Sequence, residues 1–223
     1  MKFLRLLNQV SVIPVFIAFF YAMWVYRKLP KELKAFSLFV FLSGIIQAAS
    51  SFLWYKKINN LPLLHLYVAV GFISLALFYE RVLDGFINKK IIRSAAGSFL
   101  IFTVANSLII QPLTSFNSYA LTVESILVVI LALTTYMVMM EDIVKEKRQE
   151  IAKSLGWINS GLFIYYSSSL VIFHLQFFFD QDRIFKFFSR EFNLQAWMLH
   201  AFFSLIMYLC FVVGLWKSPK SRL

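Results

Sequence analysis

The sequence has a single cysteine, Cys210, among its 223 residues. That excludes an intrachain disulfide and any metal centre built on thiolates. Glycine and proline are scarce as well, at 7 and 5, so collagen-like and low-complexity chains are excluded and little interrupts helices. Charge is also in short supply. Only 15% of residues are charged, against about 25% in an ordinary soluble domain. Acids are the rarer sign, 11 against 22 bases, which leaves a net charge of +11. What fills the chain instead is apolar: 60% of residues are hydrophobic, 18% are aromatic, and mean hydropathy is +0.73. A soluble chain of this length would be left with large exposed apolar patches. The composition therefore predicts an integral membrane protein and excludes a soluble enzyme, a disordered chain and a disulfide scaffold.

A hydrocarbon core about 30 Å thick needs about 20 apolar residues at a rise of about 1.5 Å each. Seven such runs lie near Leu6–Tyr26, Phe36–Tyr55, Leu61–Val82, Ile92–Ile110, Tyr119–Met140, Leu155–Phe179 and Leu194–Trp216. They predict an all-α seven-transmembrane-helix bundle that forms one domain over residues 1–223 and leaves no room for a soluble domain. The first run carries Pro14 and large aromatics without a small-residue cleavage site, so it reads as a retained helix rather than a signal peptide. Pro30, Pro112 and Pro219 fall between or after runs and Pro62 at the very start of one, where they break helices harmlessly. Glu141–Lys153 is the markedly charged connection, and it reads as a helical extension into the cytosol.

The bases set the orientation. Seven (Lys2, Arg5, Lys56, Lys57, Arg183, Lys186 and Arg190) fall on one side of the predicted bundle. The other fifteen fall on the opposite side: Arg27, Lys28, Lys31, Lys34, Arg81, Lys89, Lys90, Arg93, Lys145, Lys147, Arg148, Lys153, Lys217, Lys220 and Arg222. Lys and Arg are retained on the cytoplasmic side. The N-terminus is therefore expected outside and the C-terminus in the cytoplasm, and nucleic acid is not needed to explain the charge. The bilayer is the expected partner.

Ionisable residues inside spans are costly and are functional candidates by default. All three histidines lie inside runs. His65, His174, His200 and the carboxyl of Glu124 all fall in the outer halves of their helices. Ser160, Ser167 and His174, spaced by seven, share one predicted face of the sixth helix, and Asn193, His200, Ser204 and Met207 share one of the seventh. Gln47, with Ser43 and Ser51, and Asn106, with Thr103, add polar groups to helices two and four. Lipid cannot satisfy such faces. The pattern predicts an outward-opening pocket lined by Gln47, His65, Asn106, Glu124, Ser167, His174, His200 and Ser204.

Several chemistries suit such a pocket. His65, His174 and His200, with Glu124 as fourth ligand or general base, are donors that zinc accepts. Water on that metal could hydrolyse a lipid amide or ester. Against this, the ligands come from separate helices with no fixed spacing, and histidines bonded across a bundle need no metal. A pocket for a small ligand, a lipid headgroup or a proton needs less, and an imidazole there would act as a pH-dependent switch. A transporter is disfavoured by the scarcity of Gly and Pro breaks within the runs. The leading expectation is a receptor-like sensor of the cytoplasmic membrane that signals through a cytoplasmic partner. The alternative is a zinc-dependent intramembrane lipid hydrolase.

Several resemblances attach to particular residues. Glu80-Arg81, at the inner end of the third run, resembles the acidic–Arg pair of G-protein-coupled receptors, but no Asn-Pro motif follows in the seventh run; a snorkelling Arg explains it equally. A rhodopsin-like pigment needs a Schiff-base lysine in the last helix. None occurs from Asn193 to Trp216, so no retinal is expected. The plan is similar to that of ceramidase and adiponectin-receptor hydrolases, which carry paired histidines in the last helix where this chain has His200 alone. Asn59-Asn60-Leu61-Pro62-Leu63-Leu64-His65-Leu66-Tyr67, Gly156-Trp157-Ile158-Asn159-Ser160-Gly161 with Ile164-Tyr165-Tyr166-Ser167, and Trp197-Met198-Leu199-His200 together span most of the chain. In these the sequence resembles a group of small, uncharacterised seven-helix proteins of Bacteroidota. An acid often follows the His-x-Tyr in that group, and Gly71 stands near that point here. The resemblance implies a bacterial inner-membrane setting and no particular activity.

Overall fold

The computed structural model describes residues 12–180 and 190–219, with side chains described except over 142–150 and 175–194. These residues form seven helices and no strand: α1 (Ile13–Val25), α2 (Lys31–Tyr55), α3 (Leu61–Val82), α4 (Lys89–Ala105), α5 (Ser118–Met140), α6 (Asp142–Asp180) and α7 (Arg190–Trp216). A 3-10 turn, Tyr26–Lys28, follows α1, and a π-turn, Asn106–Ile110, extends α4. Five are long and apolar enough to cross a membrane: α2, α3, α4 with its π-turn, α5, and α7 from Gln195 to Trp216. Of the other two, α1 has 13 described residues. In α6 the side chains of 142–150 and 175–180 lie outside the described ones.

The helix starts follow from local chemistry. Pro14 and Pro62 sit in the first turns of α1 and α3, where no N–H is needed. Pro30 is the residue before α2, and Asn88 caps α4 by accepting from Lys90 N at 3.0 Å. A lone extended residue, Glu141, separates α5 from α6. The charged segment after it is helical, so α6 starts thirteen residues before the expected Leu155 and runs for 39 residues. The run expected from Leu6 begins outside the described residues.

Short connections make neighbours antiparallel. Asn60 Nδ2, just before α3, donates to Ser50 Oγ near the end of α2 at 2.7 Å. At the opposite end, Arg81 Nη1 donates to the Lys31 carbonyl at 2.8 Å. Packed pairs run α1–α2–α3–α4 and α5–α6–α7; α5 also packs on α3 and α4, and α7 returns to α1. Phe36 of α2 stands at the centre, with its ring 5.3 Å from Phe78 of α3 and 4.7 Å from Phe211 of α7. Buried hydroxyls such as Ser37, Ser74, Ser125 and Thr135 donate to carbonyls four residues back, which satisfies them inside an apolar bundle.

The Glu80–Arg81 pair suggested by the sequence is replaced by a different pairing. Arg93 of α4 grips Glu80 with both fork nitrogens, at 2.7 and 2.8 Å, while Arg81 serves the start of α2. Consecutive helical residues do not face each other, whereas Glu80 and Arg93 meet across two helices. The Arg93 side chain is 67% exposed. Arg93→Gln is therefore expected to leave the melting temperature nearly unchanged. Thermal melts of the wild type, the single variant and a Glu80→Arg/Arg93→Glu swap check this; a marked drop in the single variant, restored by the swap, would assign the pair a structural role it is not expected to have.

Candidate functional site

The expected site residues divide between two polar clusters near one end of the bundle, opposite Arg81 and Arg93. The first is built around the π-turn. Its register, one residue wider than an α-turn, brings Gln111 N to the Asn106 carbonyl at 2.7 Å. Asn106, fully buried, donates from Nδ2 to Gln111 Oε1 at 3.1 Å and to Asn117 Oδ1 at 2.8 Å. Gln111 Nε2 reaches Ser118 Oγ at 2.7 Å, and its Oε1 accepts from Tyr119 N. Side-chain amides thus cap the end of α4 and the start of α5 together.

His65 belongs to this cluster. It is 4% exposed, with Nδ1 2.8 Å from Ser107 Oγ and Nε2 3.1 Å from the Ser115 carbonyl. A carbonyl only accepts, so Nε2 carries a proton, and the histidine staples the first turns of α3 to the α4–α5 connection. Thr103 Oγ1, Asn106 Oδ1 and Asn117 Nδ2 are buried here without protein partners.

The second cluster lies deeper, between α3, α5, α6 and α7. Glu124, 1% exposed, accepts from the Tyr166 hydroxyl through Oε1 at 3.2 Å. The same oxygen faces Gly71, where a Cβ would stand 3.6 Å away. The carboxyl beside Gly71 is thus supplied by α5. Among the described residues no Lys, Arg or His pairs with Glu124. Around it gather Tyr67 of α3, Tyr165 of α6, Tyr208 of α7 and Ser43 of α2. Tyr165 meets Tyr166 edge to face at 5.1 Å and turns its hydroxyl to His200 Nε2 at 3.4 Å. His200 Nδ1 is 3.0 Å from Ser169 Oγ, and its ring is enclosed by Tyr165, Phe173 and Trp197 at 5.2–5.5 Å. The result is a thread from a half-buried imidazole to a buried carboxyl, hydrogen-bonded at His200–Tyr165 and at Tyr166–Glu124 and joined between them by the edge-to-face contact of the two tyrosine rings.

The remaining candidates fall elsewhere. Gln47 donates to Ser51 on its own helix at 3.4 Å. Ser160 meets the Tyr136 hydroxyl at 2.7 Å, so that part of α6 faces α5. Ser167 and Ser204 are half-buried, the His174 side chain is exposed, and the side chain of Asn193 lies outside the described ones. His65, His200 and Glu124 each have separate partners. Among the described residues no three His, Cys, Asp or Glu gather where a metal ion could sit. The donor set expected for zinc is therefore not brought together around a shared ion.

Sequence reasoning missed Tyr165, Tyr166, Ser169, Gln111 and Asn117. Tyr165, Ser169 and Phe173 recur every four residues, a helical face that was visible in the sequence. Which neighbour that face meets was not. Comparison with protein-family models, with curated proteins and with solved structures finds no match to this chain.

Proposed function

We propose that the chain is a seven-span, receptor-like module of the cytoplasmic membrane, with its N-terminus outside and its C-terminus inside. Its receiving element is the thread His200–Tyr165–Tyr166–Glu124, and its stimulus is a proton or a small hydrogen-bonding ligand arriving from the outer side. The observation that carries this is the buried Glu124 carboxyl, held by tyrosine hydroxyl rather than by a cation. An ionisable group at such depth is expensive, and a bundle that only needed to fold would do better with an apolar side chain. His200, half-buried about three turns into α7, provides the approach, and its imidazole suits a proton-linked signal. The abundant bases at the opposite end support the orientation and offer a face to a cytoplasmic partner.

Trp197, with its ring 5.5 Å from that of His200, supplies the readout. In protein reconstituted into nanodiscs, acidification is expected to quench a Trp197 fluorescence component that the Trp197→Phe difference identifies. The step should vanish in His200→Gln, and its midpoint should move in Glu124→Gln. A quenching step that persists unchanged in His200→Gln, or no step at all, would overturn the proposal.

A further inference from the structure

The exposed side of α1 and the bases that follow it are used neither by the thread nor by the core. Ile13, Phe16, Ile17, Phe20, Tyr21 and Trp24 recur at helical spacing and line a shallow, open groove of about 540 Å³ on α1. Trp24, at its end, is 79% exposed. One turn further, the chain changes character. Arg27, Lys28 and Lys31 are exposed, and no ion pair to any of them is found among the described residues. Lys34 Nζ lies 5.9 Å over the ring of Tyr26, and Arg81 is drawn to the same place by its bond to the Lys31 carbonyl. Glu80 and Asp84, the acids nearest Arg81 in sequence, are engaged by Arg93 and Lys89. Glu32 is the one carboxylate within the segment.

A long apolar groove leading to concentrated positive charge matches one class of molecule. We propose that this face binds an anionic phospholipid, with an acyl chain along the α1 groove and the phosphate among Arg27, Lys28, Lys31 and Arg81. The argument is charge complementarity. A zwitterionic headgroup brings a cation of its own into this cluster, whereas an anionic one adds only attraction, worth most where several bases converge. The site rests on the membrane placement proposed above and not on the polar thread.

Native mass spectrometry of the detergent-purified full chain, titrated with phosphatidylglycerol or with phosphatidylcholine of the same acyl composition, tests it. One phosphatidylglycerol is expected to be retained in preference by roughly tenfold. Neutralising Arg27, Lys28 and Lys31 together to Gln should abolish the preference, while Trp24→Ala should weaken both lipids alike. The Lys90→Gln control should leave the preference intact, because Lys90 is on α4, which packs against α3 and α5. Equal retention of the two lipids, a preference that survives the triple variant, or a control that lowers it as much, overturns the site. So does a disulfide-linked dimer of Phe20→Cys, since a second copy would then fill the groove. None of these outcomes alters the Trp197 response; a chain released from membranes by carbonate would instead refute the membrane placement on which both proposals rest.

Discussion

Gly161→Leu is expected to destabilise the bundle by more than about 3 kcal/mol and to separate α6 from α7. Even the β-carbon of alanine at 161 would stand 2.8 Å from Cys210 Cβ and 3.1 Å from the Met207 carbonyl oxygen. The same interface is tight at Gly214 of α7, where a Cβ would lie 2.6 Å from Ile158 Cγ1 and 3.0 Å from the Ser154 carbonyl oxygen. Ser154 Oγ in turn donates to the Gly214 carbonyl at 2.6 Å. Where backbone atoms block the added group, no rotamer change relieves the overlap and the helices must move apart. Forced overpacking of one or two carbons typically costs about 1–3 kcal/mol, so Gly161→Ala and Gly214→Ala should fall in that range and leucine beyond it. Thermal melts in detergent give the ranking. An alanine variant as stable as the wild type would mean that the α6–α7 approach is not a fixed element of the fold.

Asn159→Ala is expected to cost about 2–3 kcal/mol. Asn159 is fully buried and ties three helices together: its Oδ1 accepts from the Tyr79 hydroxyl of α3 at 3.0 Å, and its Nδ2 donates to the Ala132 carbonyl of α5 at 3.0 Å. Truncation leaves a tyrosine hydroxyl buried without its acceptor, and that stranded group accounts for much of the loss. Tyr79→Phe should therefore be costly in the wild type and nearly free in Asn159→Ala. A double-mutant cycle measures the difference. If Asn159→Ala melts within about 0.5 kcal/mol of the wild type, the bridge contributes little and water or another group must replace it.

These two positions show what was legible in the sequence. The helices were, because apolar length and proline placement are local properties: α3 occupies Leu61–Val82 as read, and α5 begins at Ser118, one residue before the expected Tyr119. So was the extension of α6 before Leu155: the charged segment after Glu141 offers no breaker, reads as helical, and continues the helix. For the site, residue types were informative and partners were not. Glu124 and His200 stood out as ionisable groups in apolar runs, yet each is met by a tyrosine hydroxyl, of Tyr166 and Tyr165, that a search for ionisable groups passes over. Spacing placed Ser160, Ser167 and His174 on one face, but helix packing assigned the α7-facing role to Tyr165, Ser169 and Phe173. A helical wheel gives directions; it cannot say which neighbour stands in each. The amide knot at Asn106 was hidden for a similar reason. It needs a π-turn, and that turn is held by Gln111 and Asn117 from beyond the helix.

The 39-residue length of α6 has a mechanical consequence. At about 1.5 Å per residue the helix is about 58 Å long, nearly twice a bilayer core of about 30 Å. Tyr165 and Ser169, the residues that touch His200, sit in its second half, and Asp142 is its first residue. A rod of this length is a lever. If it pivots at the close α6–α7 contact at Gly161, a tilt of about 10° carries its first residue, about 28 Å away, sideways by about 5 Å. A displacement of about 1–2 Å at Tyr165 and Ser169, on the short arm, would in this way be magnified roughly threefold at the far end.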